Sequence, residues 1–129
     1  MDADIDIEID LERRFGGLAR LYGLKGAAAI RGAHVAVVGI GGVGSWAAEA
    51  LARSGVGRIS LIDFDHVAES NINRQIQAET ATVGQAKVDA MAERIARINP
   101  LCRVHKIEEF ATPENWTELA AQASTLGTP

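Results

Sequence analysis

The sequence has little cysteine, few aromatic residues and no long hydrophobic run, and each shortage excludes a class of protein. Cys102 is the one cysteine among 129 residues, so these residues form no internal disulfide and no zinc site of paired cysteines. No apolar run approaches the ~18 residues that a membrane-spanning helix needs. The first residues are acidic, whereas secretory and mitochondrial leaders are basic, and we therefore expect a cytoplasmic protein.

The charge is mildly negative and unevenly placed. The chain has 17 acidic and 13 basic side chains, which gives a formal net charge of −4. The basic residues are spread along the sequence, so the sequence itself marks no surface for nucleic acid. Residues 1–12 are predicted to be an acidic flexible tail and residues 13–129 a single folded domain. Six of the acids lie in that tail: Asp2, Asp4, Asp6, Glu8, Asp10 and Glu12.

Hydrophobic spacing predicts alternating strands and helices after a helical lead-in. The lead-in contains two short helices, in "DLERRFGGLARLYG" and "LKGAAAIRG". Buried parallel strands are predicted at "HVAVVGI" and "GRISLIDFD", joined by a helix from about Val43 to Arg53. A long polar loop follows, and then a helix whose apolar residues recur every three or four positions and which ends before Pro100.

The rest of the chain adds a third strand and a last helix. "CRVHKIEEF" alternates like a strand, and Thr112 and Pro113 are typical of a helix N-cap and first turn, which would begin a helix through about Ala123. This order predicts a Rossmann-like, doubly wound α/β fold with a mainly parallel sheet. Such sheets usually have about five or more strands. We therefore expect the fold to be incomplete at its C-terminal end.

The stretch "GIGGVGS", between the first strand and the next helix, fits a nucleotide-binding turn. Gly39 and Gly41 have the spacing of the glycine fingerprint, in which the first glycine allows a tight turn and the second lets the backbone approach a phosphate. Gly44 lets the helix pack close to the strand, and Gly42 adds another bare position. Asp63 ends the next strand, where a carboxylate can accept hydrogen bonds from ribose hydroxyls. NAD and ATP both satisfy this pattern.

Polar residues in the long loop favour ATP over NAD. Asn71, Arg74 and Gln75 form a polar cluster. Lys87 lies in the first turn of the following helix, where its charge opposes the helix dipole. Hydride transfer has no use for an Arg and a Lys there, whereas a reaction at a triphosphate needs positive charge as pyrophosphate leaves. The loop therefore predicts chemistry on ATP, with an NAD-dependent oxidoreductase as the weaker alternative.

These segments resemble the ThiF/MoeB superfamily of adenylating enzymes, which are relatives of the ubiquitin-activating enzymes. The resemblance rests on "GIGGVGS", "LIDFD", "SNINRQ" and "VGQAKV" followed by "INP", and it runs from about Arg14 to Glu118. The lead-in "RFGGLARLYG" narrows it to the tRNA threonylcarbamoyladenosine dehydratases. That resemblance implies an enzyme that uses ATP to activate the carboxylate of the threonylcarbamoyl group at adenosine 37 of certain tRNAs. The activated group is then closed into a ring.

The same resemblance implies roles for individual residues. Arg74 and Lys87 would be catalytic, because they stabilise charge at the phosphates during adenylyl transfer. Asp63 would take the ribose, Asn71 would contact the phosphates and Gln75 would orient the loop. The residues implied to bind the nucleotide are Gly39, Gly41, Gly42, Gly44, Asp63, Asp65, Asn71 and Gln75.

The resemblance also implies parts that lie outside these residues. The family's magnesium-binding aspartate and much of its substrate site come after the last residue, so residues 13–129 correspond to the N-terminal part of a ThiF-type ATP-binding domain. No metal ligand is predicted within the chain, and the isolated chain is expected to be inactive. We expect a homodimer, in which Arg14 or Arg20 reaches the partner's ATP. A sulfur-transfer protein is a further candidate partner.

Two other functions fit the same residues. An adenylyltransferase that activates a ubiquitin-like sulfur-carrier protein uses the same core on a protein C-terminus. A non-catalytic nucleotide-binding or dimerisation fragment would also have the glycine turn.

Several residues with reactive or bulky side chains carry no predicted chemistry. His34, His66 and His105 are scattered without metal-ligand spacing. Trp46 is predicted to pack its helix against the sheet, and Trp116 to anchor the final helix.

Overall fold

Five α-helices and three strands form the part of the chain that the structure describes. The structure is a computed structural model and describes residues 10–125. The helices are α1 (Leu11–Phe15), α2 (Gly17–Arg31), α3 (Gly44–Arg53), α4 (Lys87–Ile98) and α5 (Trp116–Ser124). The strands are β1 (His34–Val38), β2 (Arg58–Ile62) and β3 (Arg103–Ile107). Residues 1–9 of the expected acidic tail lie outside the described residues, and Leu11 and Glu12 lie within α1.

The helical lead-in is divided by glycines. Asp10 caps α1, because its carboxylate accepts the backbone N–H of Arg13 over 3.1 Å. Gly16 separates α1 from α2. Within α2, Gly23 has a φ of 79°, which breaks the helix at a conformation that glycine adopts readily. The two short helices expected on either side of this position are therefore confirmed.

The three strands form one parallel sheet in the order β1-β2-β3. The register aligns the first residues of the strands, His34, Arg58 and Arg103, in one row across the sheet. Within residues 10–125, β1 pairs only with β2. The predicted parallel sheet is confirmed, with three strands.

Helices cover both faces of the sheet, as the doubly wound prediction requires. On one face, α3 and α4 bury β-sheet residues such as Ile59 and Leu61 against Met91 and Ile95. Full burial of each such side chain stabilises the fold by roughly 1.5–3 kcal/mol. On the other face, α5 packs on the ends of the strands through Ile62, Ile107, Leu119 and Ala123. None of the helices within residues 10–125 is long and apolar enough to cross a membrane.

The last helix begins later than predicted. Thr112 and Asn115 instead form a closed turn ahead of it: the N–H of Thr112 donates to Asn115 Oδ1 over 2.8 Å, and the N–H of Asn115 donates to Thr112 Oγ1 over 3.2 Å. α5 therefore starts at Trp116. The prediction that Trp116 anchors this helix is also wrong, because its side chain is half exposed, whereas Leu119 is buried.

A charged cluster joins the two helices on the first face of the sheet. Glu49 of α3 is buried, and its carboxylate accepts Arg53 Nε over 2.6 Å and Arg94 Nε over 2.7 Å. Burial by itself raises the pKa of the Glu49 carboxyl, but hydrogen bonds from Arg94 and Arg53 outweigh it and hold the pKa below its usual value. Arg94 belongs to α4, so this carboxylate ties α4 to α3.

Replacement of Glu49 by glutamine should destabilise the chain. Glu49→Gln removes the nearer counter-charge of the largely buried Arg94 guanidinium and leaves it only the longer pair with Glu79 at 3.6 Å, and we expect the free energy of unfolding to fall by about 2 kcal/mol at neutral pH. Urea denaturation followed by circular dichroism measures this change. Arg53→Gln is the matched control, because that side chain is 59% exposed, and it should lower the same free energy by less than ~1 kcal/mol.

The loss of stability caused by Glu49→Gln should become smaller as the pH falls. Because the folded pKa lies below the unfolded one, the ionised carboxylate stabilises the fold at pH values above the ordinary glutamate pKa. That stabilisation is lost as the pH falls through the lowered pKa. The difference between wild type and variant should therefore shrink in acid, and a difference that grows in acid would contradict the assignment.

Candidate functional site

The turn between β1 and α3 is tight and open on its outer side. Gly39 has a φ of 88°, and its N–H donates to the carbonyl of Ile62 over 2.8 Å. A Cβ on Gly44 would overlap the carbonyl oxygen of Gly39, so α3 can begin this close to the strand only with glycine there. A Cβ on Gly41 would meet no atom within 4 Å. The backbone at Gly41 therefore faces open space.

Backbone N–H groups at this turn are available to an anion. Within residues 10–125, the N–H groups of Gly41, Gly42 and Val43 have no hydrogen-bond acceptor. They lie at the N-terminus of α3, where the helix dipole is positive. Unpaired N–H groups together with this dipole favour a phosphate or carboxylate.

Asp63 connects the end of β2 to the glycine turn. Its Oδ2 accepts the N–H of Ile40 over 2.6 Å, and its Oδ1 accepts the N–H of Asp65 over 2.8 Å. The side chain is buried. Each carboxylate oxygen can accept a second hydrogen bond. Asp63 can therefore still accept a hydrogen bond from a ligand hydroxyl while it makes both of these backbone bonds.

A cavity of about 240 Å³ opens at the carboxyl ends of the three strands. This is the edge where α/β proteins of this topology bind their ligands. One wall is formed by Phe110, whose ring meets that of Phe64 edge-on at 5.3 Å. The polar and turn residues in the lining are Gly39, Asp63, Asp65 and Glu109. Two predicted nucleotide-binding carboxylates therefore share one cavity with the glycine turn.

The long loop after β2 is held against the start of α3. Trp46 Nε1 donates to the carbonyl of Arg74 over 2.7 Å, and Ser45 Oγ accepts the N–H of Ile76 over 3.3 Å. The prediction that Trp46 packs α3 against the sheet is wrong, because its side chain is half exposed and bonds the loop instead. These two contacts place the predicted phosphate-binding residues beside the glycine turn.

Within the loop, the predicted polar residues have mainly positioning contacts. Asn71 is buried, and its Oδ1 accepts the N–H of Ala68 over 2.8 Å, which closes a 3₁₀ turn at Glu69–Asn71. Gln75 is also buried, and its Oε1 accepts Gln77 Nε2 over 3.0 Å. Both side chains fix the loop rather than project from it.

Gln77 is a residue that the sequence reasoning missed. It is 2% exposed, and its Nε2 donates to the carbonyl of Ile40 over 3.2 Å. Ile40 is therefore held at its N–H by Asp63 and at its carbonyl by Gln77. The available signal was a second glutamine two positions after Gln75, in "RQIQ".

Arg74 lies directly over the glycine turn. A Cβ on Gly42 would meet the Cδ and Nε atoms of Arg74 at 3.7 Å. Its Nη1 donates to the carbonyl of Ser70 over 2.9 Å and to Asn73 Oδ1 over 3.3 Å, and the side chain is exposed. The structure therefore brings this predicted catalytic residue next to the open N–H groups.

Lys87 is buried without a counter-charge. It is the first residue of α4, it is 7% exposed, and its N–H donates to the carbonyl of Asp65 over 3.0 Å. Its ammonium makes no ion pair or side-chain hydrogen bond with any residue that the structure describes. The ammonium nitrogen is not among the buried side-chain atoms that lack a partner, so it stays accessible and can pair with an anionic ligand.

The two candidate arginines of the lead-in are not at this site. Arg14 donates to the carbonyl of Ile98 over 3.3 Å, at the end of α4. Arg20 lies near Gly17 of its own helix.

Burial raises the pKa of Cys102 to about 11, which disfavours its thiolate. Within residues 10–125, no group of three or more His, Cys, Asp or Glu side chains could hold a metal ion.

Comparison with curated proteins gives both dehydratases and adenylyltransferases as relatives. The chain is 60% identical over 103 residues to the tRNA threonylcarbamoyladenosine dehydratase of Escherichia coli (strain K12), which covers 80% of this chain and 38% of that protein. It is 51% identical over 107 residues to the Haemophilus influenzae dehydratase, covering 83% and 41%. The Salmonella typhimurium molybdopterin-synthase adenylyltransferase is 39% identical over 109 residues, covering 84% and 44%. The chain thus spans about two fifths of the length of these relatives.

Solved structures show the same fold. The E. coli dehydratase TcdA in complex with ATP superposes with a TM-score of 0.82 at 54% identity, covering 94% of this chain and 49% of that one. The same enzyme in complex with AMP gives a TM-score of 0.84 at 52% identity, covering 89% and 49%. Residues 14–126 match the ThiF family. With its glycine turn, its parallel sheet and this match over most of its length, the chain belongs to the ThiF family.

Proposed function

We propose that this chain is the nucleotide-binding part of an ATP-dependent tRNA threonylcarbamoyladenosine dehydratase. Identities of 51–60% to two such dehydratases, against 39% to an adenylyltransferase of the same family, support this assignment. The E. coli enzyme of this class has been solved with ATP and with AMP. ATP is the substrate of adenylation, and AMP is the group released when the activated carbonyl is attacked.

The proposed reaction has two steps. A carboxylate oxygen of the threonylcarbamoyl group attacks the α-phosphorus of ATP, the bond to the bridging oxygen breaks, and pyrophosphate leaves. The product is an acyl adenylate. An atom of the same modified nucleoside then attacks the activated carbonyl, AMP leaves, and the ring closes with net loss of water. The chain must therefore fix a triphosphate and offset the charge on the leaving pyrophosphate.

The observation that carries the proposal is the unpaired ammonium of Lys87, on a side chain that is otherwise buried. A lysine held in this way, with a packed stem and an ammonium free of any ion pair among residues 10–125, is available to an anion. Its backbone lies against Asp65, in the wall of the cavity that also contains Gly39. A triphosphate in that cavity would supply the missing negative charge. NAD has a diphosphate in place of a triphosphate, so it would supply less negative charge.

The remaining site residues have complementary roles in this proposal. The open N–H groups of Gly41 and Gly42 bind phosphate oxygens, and the Asp63 carboxylate accepts the ribose hydroxyls. Arg74, which lies over the same turn, neutralises charge as pyrophosphate leaves. Asn71 and Gln75 keep the loop in place, and Gly39 and Gly44 allow the tight turn that forms the cradle.

Magnesium stays a proposal that rests on the family resemblance. Asp63 and Asp65 lie close together, but among residues 10–125 they are not part of any cluster of three potential ligands. The described residues therefore do not fit a magnesium site by themselves. We assign no step to the metal, and its aspartate is expected beyond the last residue.

A homodimer is proposed because α2 exposes apolar side chains. A cytoplasmic location is proposed from the sequence, because its first residues are acidic. Leu21, Tyr22 and Leu24 of α2 are 58–79% exposed, which leaves apolar surface for a second copy to cover. A sulfur-transfer partner has no contact in the structure to support it. Activation of a sulfur-carrier protein is the second candidate function, because a molybdopterin-synthase adenylyltransferase is 39% identical.

Removal of the Arg74 guanidinium should weaken triphosphate binding selectively. For Arg74→Ala we expect the Kd for ATP to rise about tenfold or more, since one charge-assisted hydrogen bond is worth about 1.5–3 kcal/mol. The Kd for AMP should change less, because AMP lacks the β- and γ-phosphates. Isothermal titration with ATP, AMP and NAD measures this. Lys25→Ala, in exposed α2, is the control, and equal losses for ATP and NAD would favour the oxidoreductase alternative.

Removal of the Lys87 charge should weaken ATP binding without lowering the stability of the fold. Lys87→Met keeps the length of the side chain, so we expect the free energy of unfolding to stay equal or to rise by up to about 1 kcal/mol. The Kd for ATP should rise about tenfold or more. Thermal unfolding and isothermal titration measure the two quantities. A variant that is less stable but binds ATP normally would show that Lys87 is structural.

A further inference from the structure

Gln77 is a buried amide that uses only one of its two polar atoms. The side chain is 2% exposed, and its Oε1 is buried with no hydrogen-bond partner among residues 10–125. A buried acceptor without a partner destabilises a fold, and a methionine or leucine of similar size would avoid that cost. Packing therefore does not explain why an amide occupies this position.

The Nε2 atom of Gln77 joins the long loop to the glycine turn. It donates one hydrogen to the carbonyl of Ile40 over 3.2 Å and the other to Gln75 Oε1 over 3.0 Å. Both partners are acceptors, so the reversed amide would place an oxygen against them. The backbone of Gln77 is fixed as well, because its carbonyl accepts Thr82 Oγ1 over 2.8 Å. Gln77 therefore holds Ile40 from a position that is itself held.

The bond to the Ile40 carbonyl fixes the direction of the Gly41 N–H. These two groups belong to one peptide unit, which is planar and trans, so they point to opposite sides of it. With the carbonyl turned toward Gln77, the N–H of Gly41 points away from the loop. Within residues 10–125 this N–H has no acceptor, and a Cβ on Gly41 would meet no atom within 4 Å. The N–H is therefore available to a ligand.

The peptide units on either side have bonds of their own. Asp63 Oδ2 accepts the N–H of Ile40, which belongs to the preceding unit. The carbonyl of Gly41, in the following unit, accepts the N–H of Ser45 over 3.0 Å. Among residues 10–125, the unit between them is bonded only by Gln77. Because glycine adopts either sign of φ, this unit could otherwise turn over and withdraw its N–H.

We propose that Gln77 is a positioning residue, which acts through the Ile40–Gly41 peptide to aim the Gly41 N–H at a phosphate of the nucleotide. This inference rests on the proposed function, in which a triphosphate lies at the glycine turn. A donor that is already aimed needs no reorganisation as negative charge develops on the phosphates. A peptide that accepts a hydrogen bond at its carbonyl is also polarised, which strengthens the bond that its N–H donates.

The same contact links the turn to the cation of the loop. Arg74, Gln75 and Gln77 belong to one short segment, and the Arg74 side chain lies over Gly42. A displacement of this segment that moved Arg74 would therefore also weaken the bond to the Ile40 carbonyl. Gln77 thus keeps the N–H donors of the turn and the guanidinium of the loop in one geometry.

The test compares ATP with adenosine, which lacks phosphate, in the wild-type chain and in Gln77→Met. Methionine keeps the length of the side chain and removes both donors. We expect the Kd for ATP to rise about tenfold, as for the loss of one hydrogen bond to a charged group, and the Kd for adenosine to change by less than about twofold. Amide chemical-shift titration measures both constants.

Gln85→Met is the matched control. It makes the same substitution in the same loop, but the Gln85 amide donates to Glu93 Oε2 over 2.9 Å and not to the turn. We expect this variant to bind ATP and adenosine with Kd values within about twofold of wild type.

The side-chain amide of Gln77 gives a second readout in the wild type, which does not depend on the folding of a variant. Its N–H signals should exchange slowly with solvent, because both hydrogens are bonded inside the fold. They should shift when ATP is added but not when adenosine is added, because a phosphate at the Gly41 N–H polarises the carbonyl that Gln77 binds. Rapid exchange, or equal shifts with adenosine, would overturn the inference.

The outcomes distinguish this inference from the proposed function. A loss of ATP affinity without a loss of adenosine affinity supports the inference. Unchanged ATP binding by Gln77→Met, or equal losses for ATP and adenosine, would overturn it and leave the adenylation proposal intact. Tighter binding of NAD than of ATP by wild type would count against the proposed function alone. A wild type that binds no nucleotide would overturn both.

Discussion

The carboxylate of Asp63 accepts the N–H of Ile40 over 2.6 Å, and the geometry of the site depends on this bond. It fixes the glycine turn to the end of β2. Gln77 donates to the carbonyl of the same residue, so the loop is attached there as well. Because Gly44 has no side chain, α3 starts directly against Gly39. Strand, turn, helix and loop are thus held together at one peptide.

Charge is separated between the two edges of the sheet. At the carboxyl edge, acids such as Asp63 and Asp65 surround a small number of positive elements: open N–H groups, Arg74 and Lys87. A triphosphate would be held only where these elements converge, which makes the site selective for a compact polyanion. At the amino edge, Arg58 and Arg103 begin neighbouring strands, and Arg53 is paired with Glu49.

Local patterns were enough to predict much of this protein. The spaced glycines, the apolar strands and the helical spacing of α4 each depend on near neighbours in sequence, so the sheet and the turn at Gly39 were predictable. The bonds of Gln77 and Trp46 were not, because they join residues more than 25 positions apart. The start of α5 differed because Thr112 and Asn115 bond each other in a closed turn ahead of the helix. The pairing of Arg58 with Arg103 arises from parallel topology, which brings strand starts together.

The most direct test of the account is an amide chemical-shift titration of the ¹⁵N-labelled chain with ATP. The account predicts saturable shifts centred on Gly41, Gly42, Val43 and Arg74, with smaller shifts at equal concentrations of NAD. Such a result would place the triphosphate on the open N–H groups at the start of α3. Shifts confined to residues far from this turn, or a stronger response to NAD than to ATP, would contradict it.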